Sequence, residues 1–320
     1  MTSRLTRRGA MALGTAAAFA PLLPRQGRAA PLDYRIEPKP LGDGVWMIEG
    51  ANAPITMENG GAIANVTILD TREGAVVVDA GPSHGYGVAL RQVAETLTGK
   101  PVARVYLTHI HTDHVLGATA FSPDSVWTTP ELAADLKLRG AGLTDAMYRV
   151  AGDWMRGSTA PEPQAGVTAT FEDVGERRFR FMTLGGHTGS DLVLFEERSG
   201  LLIAGDLVFL DRAPTTPDAD LARWRASLDT LAGVPHGLLA PGHGPAVEGA
   251  GGIAQTRDWL AMIEERIAAG FDRGLDVTEL MAAPLPGWAE KLAVSRYEFA
   301  RSVMHLLPRL EAERLPLVSG

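Results

Sequence analysis

Apolar and polar positions follow two periods along this chain. "YRIEPKPLGDGVWMIEG" predicts extended strands around a Gly-Asp-Gly turn, and "AIANVTILDTREGAVVVDAG" predicts two strands joined by Thr71-Arg72-Glu73-Gly74. Val76–Val78 are apolar without a polar alternate, as a fully buried strand requires. "GYGVALRQVAETL" then repeats at helical spacing, and "PVARVYLTHI" is another buried strand; strand, helix, strand is an α/β signature. A helix is predicted near Glu131–Arg139, followed by a Gly-, Pro- and Thr-rich stretch carrying Met147, Tyr148, Trp154 and Met155. Strands dominate again from Val167 to Leu210. Residues 221–232 and 253–269 read as helices, the second with Trp259, Met262, Ile263 and Ile267 on one stripe. "WAEKLAVSRYEFARSVMHLLPRLEAE" adds a helical C-terminal region. Two strand-rich halves, each with helices, predict two sheets packed together and flanked by helices.

The 320 residues suffice for a full core, and the 45% apolar content is that of a soluble globular protein. The first thirty residues differ from the rest. Arg4, Arg7 and Arg8 precede an uncharged run from Gly9 to Pro24, and small residues follow at Ala29-Ala30, where a signal peptidase cuts. The run is too short and alanine-rich to span a bilayer comfortably. Thr6-Arg7-Arg8 resembles a twin-arginine export signal, so residues 1–30 are expected to be a leader and the protein periplasmic or secreted. Without residues 1–30, which carry five arginines and no acid, the chain has 25 basic against 38 acidic side chains, a formal charge of −13. Such a surface repels nucleic acid and anionic membranes, which leaves a small molecule as the expected substrate. There is no cysteine, so any metal must be held by nitrogen and oxygen.

Against that background "LTHIHTDHVLGA" stands out, because it holds three of the eight histidines of the chain. His109 and His111 follow a buried strand, and alternate residues of an extended chain point the same way. Asp113 and His114 come where the chain turns and face a second point close by. Imidazole and carboxylate at this density are transition-metal ligands. Further donors sit in matching contexts: His187 in "LGGHTGSDL", Asp206 ending "LLIAGD", His243 in "LAPGHGP" and Asp79 ending "AVVVDAG". Each closes a buried run, which places them together on one edge of the sheets. His236 and His305 read as ordinary loop or helix histidines, whereas His84, close after Asp79, is the one to border the pocket.

This ordered motif set resembles the metallo-β-lactamase fold superfamily over residues 34–250. The resemblance implies a four-layer αββα sandwich, with residues 31–250 as the catalytic domain and 251–320 as a helical region packed on it. It implies that His109, His111 and His187 hold one metal, that Asp113, His114 and His243 hold a second, and that Asp206 bridges them. Asp79 would steady the loop of the site. Two zinc ions are the expected cofactors, with iron or manganese as alternatives. The implied chemistry is attack by a metal-bridging hydroxide, Asp113 orienting it or carrying a proton. The segment "GANAPITMENGGAIAN" corresponds to a hairpin that overhangs the metals in this superfamily. Ile55 and Met57 at its tip, the paired Gly60 and Gly61 as a flexible base, and parts of residues 140–165 are expected to wall the substrate pocket.

Departures from relatives narrow the branch. Lactamases with a cysteine ligand are excluded, and the other di-zinc lactamases typically lack the aspartate seen here as Asp206. Flavo-di-iron proteins usually carry glutamate where His111 stands. Nuclease members use basic surfaces. Glyoxalase-type thioesterases share all seven ligands, but their basic glutathione-binding cluster is missing here. "NGGAIANVTILDT", "VYLTHIHTDHVLGATAF" and the helical C-terminus are similar to the exported quinoprotein relay system zinc metallohydrolases. That similarity implies an exported hydrolase of an ester, thioester, lactam or similar bond, associated with a periplasmic quinoprotein dehydrogenase. The alternatives are a class B-like β-lactamase, a glyoxalase-type thioesterase, and a non-catalytic metal-dependent maturation or binding factor.

Overall fold

The computed structural model describes residues 32–315, so the expected leader lies outside the described residues. Six strands form the first sheet in chain order: β1 (Pro38–Gly42), β2 (Val45–Ile48), β3 (Val66–Thr71), β4 (Gly74–Val78), β5 (Val102–Tyr106) and β6 (Val126–Trp127). The second sheet runs β7 (Phe171–Val174), β8 (Arg177–Leu184), β9 (Asp191–Glu196), β10 (Leu201–Phe209), β11 (Leu238–His243) and β12 (Val247–Glu248). The helices are α1 (His84–Thr98), α2 (Thr112–Val115), α3 (Pro130–Ala151), α4 (Leu221–Ala232), α5 (Gly251–Asp272), α6 (Val277–Ala282), α7 (Gly287–Glu290) and α8 (Ser295–Arg314).

Most neighbouring strands are antiparallel, but β4, β5 and β6 run parallel, as do β10 and β11. Parallel pairing brings the C-terminal ends of β4 and β5 to one edge. Asp79 follows β4 there, and the histidine cluster follows β5.

The sandwich explains why β4 has no polar alternate. With a side-chain period of two, Val76 and Val78 face the core between the sheets, where Tyr106, Phe179, Leu194 and Ile203 meet them. Ala75 and Val77 face the other way, onto Leu90 and Ala94 of α1. Helix α3 covers the same sheet through Leu132 and Leu136. On the outer face of the second sheet, Trp224 of α4, Trp259 of α5 and Phe299 of α8 pack with Leu202 and Val208 of β10. Burying each such side chain contributes roughly 1.5–3 kcal/mol. The fold is therefore the αββα sandwich, with the C-terminal helices joined to its second outer layer.

A buried cation ties the two sheets at the turn end of β3. Arg177 of β8 is 1% exposed. Its Nε donates to the Asp70 carbonyl at 2.7 Å, Nη1 donates to Glu196 Oε2 at 2.9 Å, and Nη2 donates to the Asp43 carbonyl. A buried guanidinium is tolerated only with partners of this kind.

Two sequence expectations need correction. The helix predicted near Glu131–Arg139 continues to Ala151. It is capped by Thr129, whose side chain accepts from Leu132 N, and Pro130 opens its first turn. Gly140 is a packing residue, since a Cβ there would stand 2.8 Å from that of Ala160. Residues 50–65 hold no strand and form a series of turns in place of a hairpin. Gly60 and Gly61 take φ of +56° and +84°, the left-handed region those turns require. Tyr34 Oη donates to the Gly60 carbonyl at 2.9 Å and Trp154 Nε1 to that of Met57 at 2.8 Å, so the glycines shape a fastened segment.

Candidate metal centre

The donors implied by the sequence meet at one edge of the sandwich. One group comprises His109, His111, His187 and Asp206, and a second comprises Asp113, His114 and His243; within each, the ligand-type atoms lie within 4.8 Å of one another. His109 and His111 extend from β5, while Asp113 and His114 belong to α2, where the chain turns. His187 sits in the loop between β8 and β9. Asp206 lies within β10, and His243 ends β11.

Asp206 touches both groups. Its Oδ2 lies 3.2 Å from His187 Nε2, 3.6 Å from His109 Nε2 and 3.3 Å from His243 Nε2. Its Oδ1 lies 3.2 Å from His114 Nε2. Asp113 Oδ2 completes the second group at 3.5 Å from His243 Nε2 and 3.7 Å from His114 Nε2. Gly242 is required beside this carboxylate, because a Cβ at that position would fall 1.9 Å from Asp206 Oδ1.

The outer ring nitrogens determine which inner ones are free. A carboxylate or carbonyl can only accept, so the nitrogen it contacts must carry the proton. Asp79 Oδ2 is 2.7 Å from His114 Nδ1, and the Ile63 carbonyl is 2.7 Å from His243 Nδ1. Asp218 Oδ2 is 3.2 Å from His111 Nε2. The Thr108 hydroxyl donates to Asp79, so its oxygen accepts from His109 Nδ1 at 2.9 Å. In their neutral form, four imidazoles thus turn a bare nitrogen inward: Nε2 of His109, His114 and His243, and Nδ1 of His111. His111 Nδ1 lies 2.9 Å from His187 Nε2, the donor atom of the fifth ring. The outer Nδ1 of His187 lacks a partner and its ring packs edge-on against Trp224.

The residues fit a metal pair. His109 Nε2, His114 Nε2 and Asp206 Oδ1 are buried with no hydrogen-bond partner, an arrangement that is costly unless a cation satisfies them. Electrostatics points the same way. Burial works to raise the Asp206 carboxyl, but His243, His114, His109 and His187 outweigh it and hold the group well below the usual carboxylate range. Burial pushes His109 and His243 down, toward the neutral ligand form. Burial also opposes charge on His114, yet Asp206, Asp79 and Asp113 prevail and push it up, in a field that equally attracts a metal cation.

Asp79 supports the site from behind. It stands at φ +65°, and its carboxylate accepts from Thr108 N at 2.9 Å as well as from His114. A cavity of about 300 Å³ opens onto the donors, and Asp113, His111, Asp206 and His243 line it. Ile55, Leu143 and Val150 supply apolar wall. Two expected pocket residues lie elsewhere. Met57 is 54% exposed and sits against Gly152, because the turns of residues 50–65 direct it away from the donors. His84 begins α1 and its Nδ1 meets the Thr119 hydroxyl at 3.2 Å; the left-handed turn at Asp79 carries the following chain away from the cavity.

Sequence reasoning missed Thr108, Asp218 and Arg212. Asp218 also pairs with Arg139 of α3 at 3.1 Å, and the His111 hydrogen bond with that guanidinium holds its carboxyl far below the usual range. "TTPDAD" reads as turn chemistry, and no local signal ties it to a histidine 107 residues away.

A family model described as the metallo-beta-lactamase superfamily matches residues 59–243. A curated linear primary-alkylsulfatase from a Pseudomonas species is 24% identical over an alignment 262 residues long that covers 67% of this chain and 48% of that protein. The chain therefore spans about half the length of the curated relative it matches. Among solved structures, a metallo-beta-lactamase from Pontibacter korlensis is similar with a TM-score of 0.56 and 22% identity, covering 71% of this chain and 99% of that one. A stereoselective inverting sec-alkylsulfatase from a Pseudomonas species reaches a TM-score of 0.61 at 18% identity, covering 86% of this chain and 50% of that one.

Proposed function

The chain belongs to the metallo-β-lactamase superfamily, and from that premise we propose an exported dinuclear zinc hydrolase that cleaves an ester, thioester, lactam or similar bond. One observation carries the reading: four imidazoles are each fixed with the bare nitrogen inward, around a carboxylate that touches both donor groups. A structural role for the cluster would not require that shared, buried and unsatisfied oxygen.

In this reading His109, His111 and His187 would hold one ion, Asp113, His114 and His243 would hold the other, and Asp206 would be shared between them. Zinc suits five imidazoles and two carboxylates better than the oxygen-seeking magnesium or calcium. When bound, such a pair lowers the pKa of water and polarises the scissile bond. The side chains do the rest. Asp79, Thr108, Asp218 and the Ile63 carbonyl keep four rings in one tautomer and orientation. Asp113, which lines the open cavity, orients the attacking water and takes its proton. Ile55, Leu143 and Val150 shield the reacting bond from solvent on their side.

The basic leader supports export to the periplasm, and similarity to the quinoprotein relay hydrolases supports action beside a quinoprotein dehydrogenase. A second reading, hydrolysis of a sulfate ester, is favoured by one comparison: the alkylsulfatase likeness covers 86% of the chain against 71% for the lactamase. Elemental analysis and a hydrolysis screen test both. About two zinc ions per chain are expected from seven N/O ligands with one shared. Turnover should appear among thioesters, lactams, lactones, phosphoesters and alkyl sulfates. One ion or fewer after zinc reconstitution, or no turnover by fully loaded protein, would overturn the proposal.

A further inference from the structure

An anomalous cation stands beside His243. Arg212 follows β10 and is 2% exposed, yet its guanidinium has almost nothing to bond. Nε is buried without a partner. Nη1 lies 3.0 Å from His243 Nδ1, but that nitrogen already donates to Ile63, so the two donors face each other. Nη1 otherwise reaches only the Ala51 carbonyl, at 3.4 Å, and Nη2 stands 4.0 Å from Glu298 Oε1. A buried guanidinium left in that state is expensive, and it indicates a missing acceptor.

A second arginine faces the same cavity from α8. Arg301 Nη1 donates to both Glu298 oxygens, at 3.2 and 3.0 Å, and its Cζ lies 5.5 Å from the centre of the Tyr297 ring. Nε and Nη2 make no protein hydrogen bond among the described residues, and the side chain is 34% exposed. The two arginines are fixed to one wall, because Ala213 N donates to the Ala293 carbonyl at 3.0 Å and Ala293 N to that of Asp211 at 2.9 Å. Charge does not balance there. Asp113 and Asp206 belong to the metal donors, and Asp218 is taken by His111 and Arg139. Glu298 alone is left against two guanidiniums. Ile55, Leu143 and Val150 line the same cavity with hydrocarbon.

We propose that Arg212 and Arg301 form a receptor for an oxyanion, a carboxylate or sulfate, on a substrate that also carries an apolar chain. The proposal rests on the hydrolase reading for the word substrate, but the receptor itself is built from residues outside the metal donors. Guanidinium forks match the oxygen spacing of both groups. Arg212 lies within the matched residues, while Arg301 and Glu298 lie beyond residue 243, where the family match ends, so the C-terminal helix supplies half of this receptor.

Calorimetric titration of the metal-containing protein tests it with three probes: octanoate, octane-1-sulfonate and octan-1-ol. At least one anion should bind wild type at least tenfold more tightly than the alcohol. Arg301→Gln should abolish that preference, Arg301→Lys should keep part of it, and Glu298→Gln should strengthen anion binding at least threefold. Preference for octanoate identifies a carboxylate that survives the reaction, while preference for the sulfonate identifies a sulfate monoester. Anion binding that is equally tight in Arg301→Gln and wild type, or no preference over the alcohol, overturns the receptor. Metal content is measured on every sample. A protein that holds one ion or fewer after zinc reconstitution yet still prefers anions would refute the hydrolase reading and leave the receptor standing.

Discussion

Asp79 offers the most searching test of the site, because it touches no ion in the proposed arrangement yet fixes two of its walls. Asp79→Ala strips the acceptor from Thr108 N and from His114 Nδ1. A buried donor left without a partner costs about 1–3 kcal/mol, so the two together cost about 2–6 kcal/mol. Alanine at φ +65° adds about 1–2 kcal/mol of backbone strain. The sum is a large share of the roughly 5–15 kcal/mol that stabilises an ordinary domain. Asp79→Asn keeps an acceptor and tolerates the left-handed backbone, so its loss should be nearer about 1–2 kcal/mol. Asp79→Ala releases the His114 ring, and metal affinity should fall about 10–100-fold; Asn, with one acceptor oxygen in place of two, should lose less. Urea unfolding in saturating zinc measures the first effect, and competition with a coloured chelator measures the second. If Asp79→Ala shifted stability by no more than the ~0.5 kcal/mol of a surface change, and held metal as tightly as wild type, the supporting role would be wrong.

Asp206→Ala should cost one ion and most turnover, read by elemental analysis and by rate on the best substrate; full occupancy would show that the carboxylate is no bridge. Ile55→Ala should raise KM or lower kcat/KM with metal content unchanged, whereas Met57→Ala, outside the cavity, should match wild type. Lysine at both Arg7 and Arg8 should block export by the twin-arginine route, and normal delivery to the periplasm would refute that assignment.

How much of this was legible in the sequence depended on the range of the interaction. The donors could be found because they sit in or just after buried runs, and burial patterns are local; Asp206 proves to lie inside β10 where the sequence had it end a run. Helix α4 was readable for the same reason, whereas α3 was cut short because Gly140 looks like a breaker until Ala160 is seen against it. Glu298 and Arg301 pass for a routine surface pair three residues apart; only the fold shows that Glu298 is buried beside Arg212. His84 misled by its nearness in sequence to Asp79, which says nothing about direction after a left-handed turn.

Neither sheet carries a complete set of donors. His109, His111, Asp113 and His114 come with the first half of the chain, and His187, Asp206 and His243 with the second. Each proposed ion would therefore be split across the seam of the sandwich, and the free energy of binding it becomes adhesion between the halves. Arg177 fastens the turn end of the seam without any metal. Ions so held would act as an assembly checkpoint, since a chain whose halves have not met offers only partial cages. A protein that crosses a membrane already folded would then leave the cytoplasm with its cargo of zinc as proof of completion.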